Sequence, residues 1–421
     1  MARMSGASPA GDSDGRLMDP NDPLPAPGRV QVAGERDQAA EDHGVPHANS
    51  DAHAHGEVRL FPDGPTSTVE AVFDGYRGYV QSDDDSDAES TDSDIEHSFF
   101  VERHGRLFHY HGNLPYPLPA DELEQNRQIV QHLCLQHLLG SNFVGPVPEL
   151  LSPDGGEGDI CVLDLGTGTG RWVMEMAHQY PTAHFVGIDI VPIYPASDFE
   201  NVTFQLGNIM EPLNFANESF DIVHARCIST SVRDYPELLR EIARVLKPGG
   251  LFIGGEWARR ASFAPHRDPD RDLAVHAPGI QAMFEAISSG LRDRKGIDRA
   301  FGPVMAAWLS DTGVFNYIVE EKFYMPIGDW PTHADASALR GVDYAARFSR
   351  MSPDDITDHL KIVGNYFRAV IDRYAKNMCP MLLESGNPLQ SVKDLLRRYR
   401  HDLRHVEGMV CVYHAVHARK M

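Results

Sequence analysis

The sequence predicts an α/β fold built on a parallel sheet, and three observations carry that reading. From Asp159 to about Trp257, short apolar runs of strand length alternate with segments of helical spacing. The first run, Ile160-Cys161-Val162-Leu163, ends in an acid, Asp164, and then in three alternating glycines, Gly166, Gly168 and Gly170. Beyond the glycines, Val173, Met174 and Ala177 continue on a helical period. A strand, a glycine turn and a helix N-terminus together form a nucleotide-type site.

Taken in order, Met1 to about Thr68 is rich in Gly, Pro, Asp, Ala and His without an apolar period. It is expected to be disordered. His53 and His55 are incidental on so loose a tail. Val69, Val72, Phe73, Tyr76 and Tyr79 form an apolar island suited to dock on the folded part or on a partner. Ser82 to Glu96 is a dense run of acids and hydroxyls whose like charges hold the chain open. The default reading is a solvated linker. A sharper one notes that Ser86, Thr91 and Ser93 each have an acid three residues on, a context for acid-directed kinases.

Phe99 to Tyr110 reads as a hairpin turning at His104-Gly105. His109 and His111 make an H-x-H pair with no third ligand evident, so no metal is assigned. Asp121 is placed to cap a helix, with Glu124 positioned for a capping box and Gly140 as its stop. Ile129, Val130, Leu133, Cys134 and Leu138 give that helix one apolar face. Pro146 to Gly158 reads as a linker.

Five strands follow: Ile160–Leu165, His184–Ile190, Val202–Leu206, Phe220–Ala225 and Leu251–Trp257. A helix from about Arg171 to Tyr180 ends before Pro181. Another buries Leu238, Leu239, Ile242, Val245 and Leu246 and is halted by Pro248-Gly249-Gly250. Further on, helices are expected over Gln281–Leu291, Phe301–Leu309, Ile356–Tyr374 and Leu389–Tyr399. Strands are expected over Phe315–Pro326 and Met409–Val416.

The ligand follows from the turn. The dinucleotide fingerprint is G-x-G-x-x-G, and Arg171 stands where it needs its last glycine. A carboxylate at Asp164 suits a positively charged ligand better than a pyrophosphate. S-adenosylmethionine carries a sulfonium and an ammonium and no phosphate. Asp189, at the end of the second strand, is placed to accept from ribose hydroxyls. From that position its removal is expected to spare the fold. The competing reading is any strand–turn–helix unit with a glycine turn.

The chain has 421 residues with 42% hydrophobic content, enough for a sizeable core. A net charge of -23 argues against a general nucleic-acid binder, which needs a basic footprint. The five cysteines form no C-x-x-C pair, so reduced thiols in an intracellular protein, cytoplasmic or nuclear, are expected. No apolar run is long enough to span a bilayer.

These residues carry a resemblance. Asp164 to Gly170 resembles motif I of the class I methyltransferases, with Asp189 matching their ribose-binding acid. Gly207-Asn208-Ile209 falls where that family places a polar–apolar pair at the adenine. Phe220-Asp221-Ile222-Val223 and Leu246-Lys247-Pro248-Gly249-Gly250 match later motifs. The wider pattern is similar to the fungal LaeA-like group. It includes Tyr116-x-Leu118-Pro119-x-Asp121-Glu122-x-Glu124-Gln125-x-Arg127, Gly170-x-Trp172 and His224-x-Arg226-Cys227.

The resemblance implies a Rossmann-like seven-stranded sheet whose last strand is antiparallel. It also implies an order of parts: a disordered acidic tail (1–96), a hairpin and helix cover (97–158), a cofactor-binding core (159–260), and lid helices with the last two strands (261–421). The cofactor implied is S-adenosyl-L-methionine, bound by Asp164, Gly166, Gly168, Gly170, Asp189, Asn208, Ile209 and Arg226. Arg226 either holds the methionine carboxylate or shapes the pocket. Tyr110 and Tyr116 either line the cofactor mouth or pack, and Trp172 either meets the pocket or seats its helix. His224 is the nearby candidate base, against a structural role, and Glu256 aligns to the same end of the sheet. No Asn-Pro-Pro-Tyr-like tetrad follows the fourth strand, which counts against the usual DNA or glutamine N-methyltransferases. Two functions are implied. One is an enzyme methylating a small secondary metabolite. The other is a regulator of secondary metabolism that binds the cofactor and acts through protein partners, with the acidic tail a contact for them.

Overall fold

The computed structural model describes residues 99–112, 114–151, 159–195, 197, 199–267, 270–298, 301–339 and 352–421. The expected tail, its apolar island and its acidic run lie outside them. The described residues all fall in one compact unit.

The described residues open with the hairpin β1 (Phe100–Arg103) and β2 (Arg106–His109), turning through His104 and Gly105. Helix α1 (Glu122–Leu139) is capped by the Asp121 side chain on the Glu124 N–H and ends on a left-handed Gly140. The expected capping box is only half formed. The Glu124 carboxylate turns inward, where it accepts from Arg127 at 2.7 and 2.8 Å and from Asn377 at 2.6 Å. The stretch read as a linker contains a short helix, α2 (Val147–Leu151), because Val147 and Leu151 bury against the sheet.

The core then runs β3 (Cys161–Leu165), α3 (Arg171–Gln179), β4 (His184–Asp189), β5 (Val202–Leu206), β6 (Phe220–Arg226), α4 (Tyr235–Val245) and β7 (Leu246–Phe263). After it come α5 (Leu273–His276), α6 (Pro278–Gly290), which runs into one π-helical turn, and α7 (Met305–Thr312). The chain continues through β8 (Phe315–Pro326), α8 (His333–Leu339), α9 (Pro353–Glu384), α10 (Leu389–His405) and β9 (Met409–Lys420). Helix α9 outruns its expected end and passes through Pro380, and β7 outruns its expected end at Trp257.

Seven strands form one sheet in the order β5-β4-β3-β6-β7-β9-β8, and β9 runs antiparallel to both its neighbours. The order reverses between β3 and β6, where the chain crosses from one half of the sheet to the other. That switch point is where open α/β sheets bind ligands. Both faces are covered, as a parallel sheet requires. Val162, Ile222 and Leu251 pack with Trp172, Val173 and Met176 on one face. Their neighbours Leu163, Val223 and Phe252 join the larger core on the other. Among the described residues, no helix is long and apolar enough to cross a membrane.

Candidate active site

The glycine turn is cut to shape. Gly166, Gly168 and Gly170 have φ of 68°, 56° and 70°, in the left-handed region that side chains rarely adopt. A Cβ on Gly166 would lie 2.7 Å from Ile228, and one on Gly168 would lie 2.8 Å from Gln128. Gly166 and Gly168 line a cleft holding about 1200 Å³ of space, part of it open to solvent. Gly170 does not line it. It starts α3 instead, with Phe204 over its α-carbon.

Asp189 closes the turn from the next strand. Its carboxylate accepts the Gly168 N–H at 2.8 Å and the Ile190 N–H at 2.8 Å. Burial pushes its pKa up to about 6, although these backbone donors favour the charged form. Asp164 and His224 are register partners on β3 and β6, and His224 Nδ1 donates to Asp164 at 2.7 Å. His224 is buried, its ring stacked on Trp172 with centroids 3.7 Å apart. Burial lowers its pKa, so it is neutral near pH 7. Trp172 has both of its expected roles: it lines the cleft and anchors α3 by donating to the Asn142 carbonyl at 2.7 Å.

Arg226, at the end of β6, also faces the cleft. Its Nη2 donates to His132 Nδ1 at 2.7 Å, while its Nη1 is sealed from solvent without a hydrogen-bond partner. His132 Nε2 then donates to Glu175 at 3.0 Å, and Glu175 also accepts from Arg171 at 2.7 Å. Burial pushes Glu175 up, but His132 and Arg171 outweigh it and hold it down at about 2. Burial lowers His132, consistent with a neutral ring that accepts on one side and donates on the other.

Asn208 and Ile209 line the cleft, and Ile209 is buried. The Asn208 side chain is engaged locally: it accepts from the Met210 N–H at 3.0 Å and donates to Glu211 at 2.7 Å. Tyr116 lines the cleft beside Gln128, whereas Tyr110 points to solvent. Glu256 lies in an adjoining pocket rather than the cleft, and its carboxylate accepts the Ile228 N–H at 2.8 Å. Sequence reasoning did not single out His132 and Gln128, which line the cleft, or Glu175, which holds His132. Spacing pairs Glu175 with Arg171 four residues away, but its contact with His132, and that of His132 with Arg226, span 43 and 94 residues and have no local signature.

The arrangement is a methyltransferase-type site at the switch point of a doubly wound sheet. Residues 157–267 match the family model described as a methyltransferase domain. The chain is 31% identical over 256 residues to methyltransferase pytC of Aspergillus terreus, covering 59% of this chain and 72% of that protein. It is 37% identical over 151 residues to the secondary metabolism regulator laeA of Coprinopsis cinerea, covering 36% of this chain and 37% of that protein. It is 31% identical over 235 residues to the protein-methionine methyltransferase laeA of Emericella nidulans, covering 56% and 59%. The chain belongs to the class I methyltransferase family, in its LaeA-like group.

Proposed function

We propose that the cleft binds S-adenosyl-L-methionine and that the chain transfers its methyl group to a small-molecule acceptor of secondary metabolism. One observation carries the reading: the left-handed glycine turn is tied to Asp189 and faces the same cleft as a half-free Arg226 guanidinium. When bound, the cofactor supplies a methyl group on a sulfonium, which is already a good leaving group. The protein's tasks are then to hold, align and keep water out.

Asp189 accepts from the ribose hydroxyls, since a carboxylate has lone pairs beyond those its backbone donors use. Arg226 Nη1 meets the methionine carboxylate. Asp164, with one oxygen held by His224, offers the other to the ammonium. In this reading His224 orients Asp164 and is no longer the candidate base. Ile209 walls the adenine, and Asn208 shapes the turn that carries it. The pocket adjoining the cleft favours a small acceptor over a protein chain.

The alternative is a regulator that binds the same cofactor and acts through protein partners, and the names of the laeA relatives support it. Incubation with labelled cofactor and a fungal metabolite extract, followed by mass spectrometry, separates the two. Label on an extracted small molecule supports the enzyme. Label confined to protein, or a cofactor-dependent protein complex without turnover, supports the regulator.

A further inference from the structure

The pocket beside the cleft encloses about 690 Å³, part of it open. The two cavities share Leu118, Arg127, Gln131, Cys227 and Thr230. Away from that common wall the pocket is lined by Trp257, Phe284, Phe367, Ile371 and Tyr374, with Arg259 among them. A bulge in β7 puts Arg259 there. Pairing with β9 jumps from Trp257–Tyr413 to Ala261–Cys411, so Ala258, Arg259 and Arg260 stand opposite Val412 alone. Such bulges re-aim side chains beside sites.

Two features of Arg259 carry a cost for the protein alone. Its φ is 52°, in the left-handed region where arginine is rarely found. Its Nε and Nη1 are sealed from solvent and have no hydrogen-bond partner. The acid that shares the pocket, Glu256, is pushed up to about 7 by burial and so carries only part of a charge at neutral pH. It leaves the guanidinium under-compensated.

We propose that Arg259 is the anion anchor of the acceptor pocket, and that the acceptor is a flat, largely apolar small molecule bearing a carboxylate. The aromatic walls take the flat body, and the Arg259 guanidinium that lines the pocket takes the carboxylate. Arg259 is not part of the wall shared with the cleft, so the carboxylate binds away from the atom that is methylated. This rests on the cleft being the cofactor site.

The test titrates naphthoate and naphthamide by calorimetry into the full chain saturated with S-adenosylhomocysteine. The acid is expected to bind more tightly than the amide by about tenfold or more. Arg259→Gly should keep its fold, since glycine suits the backbone there, and keep its S-adenosylhomocysteine affinity while losing the preference for the acid. Arg259→Lys, which keeps the charge without the fork, should keep part of that preference. No binding of the acid, equal binding of acid and amide, or an Arg259→Gly protein that still prefers the acid would overturn the anchor. If the folded wild type takes up no S-adenosylhomocysteine, the cleft reading fails instead, and the same comparison without that ligand still decides the anchor.

Discussion

Asp189, at the end of β4, accepts the backbone N–H of Gly168 at 2.8 Å, fastening the glycine turn to the neighbouring strand. The same carboxylate takes the N–H groups of Ile190 at 2.8 Å and Val191 at 3.4 Å. Its position at a strand end suggested that it could be removed without harm to the fold, and these bonds revise that expectation. Asp189→Ala should lower cofactor affinity by roughly ten- to a hundredfold, as loss of a charged hydrogen bond does. It should also lower the melting temperature of the ligand-free protein. Calorimetric titration and a thermal melt read the two effects separately, and an unchanged melting temperature would contradict the structural half.

The same residue should make cofactor binding pH-dependent. Burial raises Asp189 from the ordinary carboxylate range to about 6. The protonated carboxyl offers fewer acceptor sites, so affinity should be full above this value and fall as the pH drops through it. Asp189→Asn should bind weakly and flatten the profile. The measurement is S-adenosylhomocysteine affinity on either side of about pH 6, with folding checked at each pH.

Arg226→Leu tests the amino-acid end of the cleft. Arg226 has one nitrogen on His132 and one without a partner. Its loss should weaken S-adenosylhomocysteine by roughly tenfold or more. Methylthioadenosine lacks the amino-acid end, so its affinity should not change. Equal losses for both ligands would mean that Arg226 only shapes the pocket.

Glu124→Ala tests what joins α1 to α9. Glu124 and Arg127 are both buried, and Asn377 of α9 donates to the same carboxylate. Removing one partner of a buried ion pair costs about 3–5 kcal/mol. The melting temperature should fall clearly, whereas Glu122→Ala, exposed on the same turn, should have little effect. Similar melts for the two variants would contradict this.

What the sequence made legible was local. The hairpin turn, the Asp121 cap, the Gly140 stop and the glycine turn are each written in a few adjacent residues. Strands β3, β6 and the middle of β7 were visible as apolar runs, because parallel strands buried on both faces need them, whereas the half-exposed edge strand β5 showed only as an alternation. The site's second layer was not visible. Arg226 and His132 meet across 94 residues, and Arg171 and Glu175 look like an ordinary surface pair at i,i+4 until α1 packs over them. Glu124 fits a capping box by spacing, yet burial against Asn377 claims its carboxylate. Helix α9 runs on through Pro380 because tertiary packing of Met378, Met381 and Leu382 outweighs a missing backbone donor. The bulge that aims Arg259 has no signature in its own residues, since it arises from pairing with β9.

The most direct measurement is titration of the folded chain with S-adenosyl-L-methionine, beside NAD and a Gly168→Val variant. The wild type should bind S-adenosyl-L-methionine saturably, with a rise in melting temperature by mass action. NAD should produce no such response. The valine variant should not bind, because its side chain would enter the space between the turn and Gln128 at a φ of 56°. A correctly folded wild type that ignores S-adenosyl-L-methionine, or prefers NAD, would contradict the assignment of the cleft.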